Sequence, residues 1–115
     1  MSSTVSRGNY FKKKSQEYYQ KLGYSTQLTE FNTAVHVSAT RVMYKKVDVF
    51  AADGISMNGK EIIFWNSKHG TTKYGLQDCI REATEDFGKF PFPKNVKRVV
   101  IYWELRKEPV VVDIS

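Results

Sequence analysis

The chain has 115 residues, 41% of them hydrophobic, and its 18 basic and 12 acidic side chains give a formal net charge of +6. That length predicts one domain with enough interior to fold alone. A single cysteine, Cys79, excludes an internal disulfide scaffold, and no apolar run approaches the roughly 20 residues that a membrane-spanning helix needs.

The cysteine usage fits a reducing, cytoplasmic setting, and Met1-Ser2-Ser3-Thr4 lacks the apolar stretch of a secretory signal. The excess of positive charge suits a polyanionic partner, because each phosphate neutralised releases condensed counterions. No membrane partner is expected.

Residues 1–6 are small and polar and are expected to form a flexible N-terminus ahead of one domain over residues 7–115. Gly8 to Leu22 reads as a helix, with Phe11, Ser15, Tyr18, Tyr19 and Leu22 on one broad face and Gly23 as its C-terminal stop. Lys12, Lys13 and Lys14 fall early in this helix, and Arg7 just precedes it. Cations there oppose the helix macrodipole unless something anionic compensates, which leaves two readings, phosphate contact or a solvated face that tolerates the cost. Tyr24 to Phe31 is expected to be a strand, Asn32 to Arg41 a polar connector, and Val42 to Ala51 a second strand. Asp53-Gly54 and Asn58-Gly59 mark turns, and the apolar run Glu61 to Ser67 reads as a central third strand.

After a turn-rich linker over Lys68 to Tyr74, residues Leu76, Cys79, Ile80, Ala83 and Phe87 recur at helical spacing. The opposite face carries Asp78, Arg81, Glu82, Glu85 and Asp86 and reads as a solvated face or a partner surface, and Gly88 with Pro91-Phe92-Pro93 ends the helix. Strands over Arg98 to Glu104 and Pro109 to Ile114 close the chain. Trp65 and Trp103 read as packing residues, and Cys79 as a small core residue. The expected class is α/β, in the order α-β-β-β-α-β-β, with a central mixed five-stranded sheet flanked by helices.

Chemistry concentrates where the third strand ends in Asn66-Ser67-Lys68. Strand alternation puts Asn66 and Lys68 on one face. If the strand carrying Asp48 pairs beside it, Asp48, Asn66 and Lys68 converge. An acidic residue on one strand and X-Ser-Lys on the next is the layout of a metal-dependent nuclease site, in which a hard cation held by oxygen ligands acidifies a water. Asp48, Asn66 and the backbone carbonyl of Ser67 are the candidate ligands for magnesium or manganese, and Lys68 is placed to steady the attacking hydroxide or the phosphate. His69, next in the chain, is a candidate DNA contact. Asp53 is close in sequence but reads as a turn residue.

This layout resembles the PD-(D/E)XK nuclease superfamily, and the whole chain is similar to the archaeal-type Holliday junction resolvases. The similarity rests on Arg7-Gly8, Leu22-Gly23-Tyr24, Lys45-Lys46-Val47-Asp48-Val49, the strand ending in Lys68, and Glu85-Asp86-Phe87-Gly88. It implies a restriction-endonuclease-like fold, a role in DNA recombination, a homodimer, and a DNA-contacting loop around Ser38, Thr40 and Arg41. Two positions depart from the family pattern. The acidic residue two places before the lysine is Asn66, and the glutamate four places beyond the start glycine is Lys12. The resulting expectation is a DNA-binding protein with weakened or lost cleavage. It would contact branched or duplex DNA through Arg7, Lys12, Lys13, Lys14, Arg41, Lys45, Lys46 and Lys68, with magnesium, manganese or no cofactor. The alternatives are an active magnesium- or manganese-dependent endonuclease using Asp48, Asn66, the Ser67 carbonyl and Lys68, and a dimeric interaction scaffold that does not cut.

Overall fold

Two long strands covered by helices set the architecture. In the computed structural model, residues 4–29, 31–39, 41–47, 49–70, 74–104 and 107–115 are described, with side chains for residues 8–29, 38–39, 49–70, 75–104 and 107–115. Along this chain run α1 (Thr4–Lys21), β1 (Ser25–Leu28), β2 (Phe31–Ser38), β3 (Arg41–Val47), β4 (Gly54–Met57), β5 (Ile62–Gly70), α2 (Tyr74–Phe87), β6 (Lys97–Glu104) and β7 (Val110–Asp113). Five strands form a mixed sheet in the order β1-β4-β5-β6-β7, in which β5 and β6 are parallel and the other neighbours antiparallel. β2 and β3 make a separate two-stranded antiparallel sheet.

The α/β class and the five-stranded mixed sheet with two helices agree with the sequence reading, but the strands that build the sheet differ from it. The stretch expected to be a polar connector supplies β2, and the expected second strand pairs with β2 instead of joining the main sheet. The strand that actually lies beside β5 is β4, within a stretch read as turns. Helix α1 begins at Thr4, so Lys12, Lys13 and Lys14 sit more than one turn inside it, beyond the reach of the terminal dipole. Leu22, expected on the buried face, is exposed.

Each helix covers one face of the sheet. Tyr19 of α1 packs with Ile63, Trp65, Val99, Ile101 and Trp103, while Ala83 and Phe87 of α2 pack with Val100 and Phe64. Odd-numbered residues of β5 and β6 therefore face α1 and even-numbered ones face α2, as a period of two requires. Strand β6, with a helix on each face, is apolar and buried without a break from Val99 to Trp103. α1 closes in a Schellman cap: Gly23 has φ 94°, its N–H bonds Gln20 C=O at 3.1 Å, and Tyr24 N–H bonds Tyr19 C=O at 3.0 Å.

Buried polar groups tie the layers together. Trp103 Nε1 donates to Ser15 Oγ at 2.8 Å, Ser15 Oγ donates to Phe11 C=O at 2.8 Å, and it also lies 3.0 Å from Ser67 Oγ. Across the sheet, Trp65 Nε1 donates to Ser56 Oγ at 3.0 Å, which in turn lies 2.8 Å from Thr26 Oγ1. Both tryptophans are thus core residues with their indole donors satisfied. β4 opens on Gly54 because a Cβ there would overlap the Trp65 indole. No helix among the described residues is long and apolar enough to cross a membrane.

Candidate functional site

A tight turn ahead of β4 sets the position of the central carboxylate. Ala52 N–H bonds Val49 C=O at 2.9 Å, and the two residues between, Phe50 and Ala51, have φ of 49° and 64°. Two consecutive left-handed residues are the signature of a type I′ turn, which usually carries Asn or Gly. Asp53 follows at once, its backbone held on both sides. Its N–H bonds Trp65 C=O at 2.9 Å, and its C=O accepts from Thr29 N–H at 3.1 Å. The Asp53 carboxylate, buried at 6% exposure, accepts Ser67 N–H at 2.7 Å through Oδ2. Its Oδ1 lies 3.6 Å from Lys12 Nζ.

Lys12 reaches this corner from α1, one turn beyond Gly8, and its side chain is only 19% exposed. From the next strand, Asn66 and Lys68 enter the same pocket, of about 490 Å³. Asn66 is buried and donates Nδ2–H to Ala51 C=O at 2.8 Å, so the strained turn presents its carbonyl to this amide. Lys68 Nζ lies 3.6 Å from Glu82 Oε2 on α2. Cys79 and Asp86 complete the α2 wall, and burial pushes the Cys79 thiol pKa up, keeping it neutral and a poor nucleophile.

Two ammonium groups and three carboxylates therefore share the pocket. The two ion pairs differ in kind. Lys12–Asp53 is largely removed from water, so deleting Lys12 takes an ammonium from a buried carboxylate. Lys68–Glu82 is open, with the Glu82 side chain 57% exposed, and such pairs contribute about 0–1 kcal/mol. Lys68 is thus easily recruited by an incoming anion, and Lys12 is not.

The described donors do not fit a divalent cation. Magnesium demands near-octahedral oxygen coordination and commonly takes one or two carboxylates to displace its waters. Here one oxygen of Asp53 faces an ammonium and the other accepts an N–H. Asn66 offers only the neutral oxygen of an amide, which brings no charge to displace the ion's waters. No group of three or more His, Cys, Asp or Glu suited to a metal ion occurs among the described residues.

The sequence-derived candidates separate clearly. Lys12, Asn66, Ser67, Lys68 and His69 come together around the pocket. The three consecutive lysines do not act as one patch: Lys12 points into the pocket, Lys13 is exposed, and Lys14 Nζ lies 5.3 Å from the Tyr10 ring centroid and 4.8 Å from that of Trp103. His69 stacks on Phe11 at 4.7 Å. Arg7 lies in α1, and Arg41, Lys45 and Lys46 in β3, with their side chains outside the described set. Asp48 lies outside the described residues. The aspartate found beside Asn66 and Lys68 is Asp53, which an Asp-Gly dipeptide disguised as a turn. Glu82, on the face read as solvated or as a partner surface, is exposed and also faces Lys68. Compared with family models, curated proteins and solved structures, the chain shows no significant match.

Proposed function

We propose that this chain is a nucleic-acid-binding protein on the plan of the PD-(D/E)XK nucleases, close to the archaeal-type Holliday junction resolvases, whose cutting centre has been converted to a metal-free binding site. The observation that carries this reading is the Lys12–Asp53 pair beside Asn66-Ser67-Lys68. An aspartate opening one strand of a hairpin, and a lysine two places beyond a polar residue on the next, is the family arrangement. In that arrangement the first helix and the residue at position 66 would supply further carboxylates. Here the helix supplies an ammonium, and residue 66 an amide bonded to a backbone carbonyl. Lys12 thus takes the place of the cation and compensates Asp53 from within the protein. Without a held ion there is no means of acidifying a water, so the site binds phosphate and does not cut.

Binding proceeds through Lys68, which exchanges its weak hold on Glu82 for a phosphate oxygen, supported by the +6 excess over the chain. The DNA, branched or duplex, is met by a two-fold dimer, as the resemblance implies.

The test is a titration of labelled four-way junction and plain duplex at several salt concentrations, with and without magnesium or manganese. The expected result is salt-sensitive binding that chelator leaves unchanged, with no cut product. Lys68→Ala lowers the salt slope by about one. Metal-dependent cutting lost in Asp53→Ala and Lys68→Ala establishes an active endonuclease instead. Indifference to both substrates at low salt leaves the interaction scaffold.

A further inference from the structure

We propose that the aromatic pocket on the far side of the Phe50-Ala51 turn is a seat for an unpaired nucleobase, acting with Lys68 as a single nucleotide site. The inference rests on the nucleic-acid-binding reading above and extends it. Phe50, Phe64, Phe90, Pro91, Phe92 and Pro93 line an apolar pocket of about 240 Å³. Its walls are set edge to face: Phe50 meets Phe90 at 5.4 Å and 74°, and Phe64 meets Phe92 at 5.1 Å and 78°. The Arg98 guanidinium lies 5.4 Å from the centroid of Phe92 and braces that wall.

One feature connects this pocket with the ionic one, and a second sets Phe50 apart. The first is continuity. Phe50 lines the aromatic pocket and Ala51, its neighbour on the same turn, lines the ionic one. Along β5 the residues facing α2 run Phe64, Asn66, Lys68, about 7 Å apart at each step. Asn66 is buried beneath the turn, so the two pockets offer a ligand aromatic faces at one end and the Lys68 ammonium at the other, which suit the base and the phosphate of one nucleotide. The second feature is the state of Phe50. This bulky side chain sits at φ 49° and is 52% exposed, although Gly or Asn would hold the turn without strain. Its ring rests on Phe64, Phe90 and Phe92 and is otherwise open to solvent, so it forms the exposed lip of the pocket. An unpaired base fits because a base inside a duplex must first leave its stack. The adjoining lysine distinguishes a nucleotide from a purely apolar occupant.

The experiment measures, by fluorescence anisotropy, the affinity of the full chain for a duplex with one bulged nucleotide and for the same duplex with that nucleotide abasic. Wild type should prefer the base-bearing bulge about tenfold. Phe50→Asn, which suits the turn, should abolish the preference and leave abasic binding unchanged, while Lys68→Ala weakens both equally. Equal affinity of wild type for the two bulges overturns the pocket assignment and leaves the nucleic-acid reading standing. Failure to bind either at low salt overturns both. A Phe50→Asn effect confined to self-association, with the base preference intact, assigns the pocket to a second copy of the chain and overturns the proposal.

Discussion

Lys12 and Asp53 hold their charges in a corner that water barely reaches, and Asn66 completes it by donating to a strained carbonyl. An amide suits position 66 because a carboxylate oxygen there would meet the Ala51 carbonyl at hydrogen-bond distance. Asn66→Asp should therefore cost about 1–3 kcal/mol at neutral pH, measured by urea unfolding. The new carboxyl has a folded pKa above its unfolded one, so the penalty is complete at high pH. It should shrink as pH falls and the neutral acid becomes able to donate. A loss independent of pH would mean that shape, not charge, fixes the residue. At Lys68 the competing carboxylate is exposed, and Glu82→Gln should tighten DNA binding a few-fold with little change in stability, read by anisotropy and thermal melting.

Elements are joined by a small number of polar contacts whose loss is measurable. Ser15 links α1 to β6, and Ser15→Ala leaves the Trp103 indole donor without its acceptor in a dry interior. A loss of about 1–3 kcal/mol in denaturant unfolding is expected, with near-UV circular dichroism of the tryptophans altered. At the other end of β5, Glu61 is bonded by Lys97 at 2.8 Å and by the Tyr24 hydroxyl. Hydrogen bonding from Lys97 first and Tyr24 second lowers the Glu61 pKa, and the same bond to Glu61 raises that of Lys97. The Glu61 contribution is therefore present above the ordinary carboxylate range and is lost as pH falls through its depressed value. The Lys97 contribution is present below the ordinary lysine range and is lost as pH rises through its raised value. Glu61→Gln should be less stable than wild type between those limits and should converge with it in acid. A constant difference across the acid limb would contradict the pairing.

β5 and α2 were legible in the sequence because their patterns are strong: an unbroken apolar run, and apolar residues spaced by three and four. β4 was not, since four residues beginning with glycine look like the end of a turn. The turn before it was equally hidden, because Phe50-Ala51 has none of the chemistry that left-handed residues usually signal. The β2–β3 hairpin was obscured by its polar stretch and by the lack of a Gly or Pro turn. These failures account for the site as well. Asn66 and Lys68 could be read from alternation within one strand, whereas Asp53 required the correct neighbour strand, which only tertiary pairing supplies.

At the scale of the molecule, a basic chain with one helix on each face of a mixed sheet brings Lys12, Asp53, Lys68 and Glu82 together at the end of β5. On the proposed reading, the Lys12 ammonium occupies the place of a divalent ion. Calorimetry with manganese tests this most directly on wild type and on Lys12→Glu/Asn66→Glu, with thermal melting alongside. The account predicts no manganese binding at millimolar concentration in wild type. The double variant, melting lower in chelator, should gain a single site and recover stability as the metal is added. A wild type that binds manganese stoichiometrically in the micromolar range, or a folded double variant that gains no site, would contradict it.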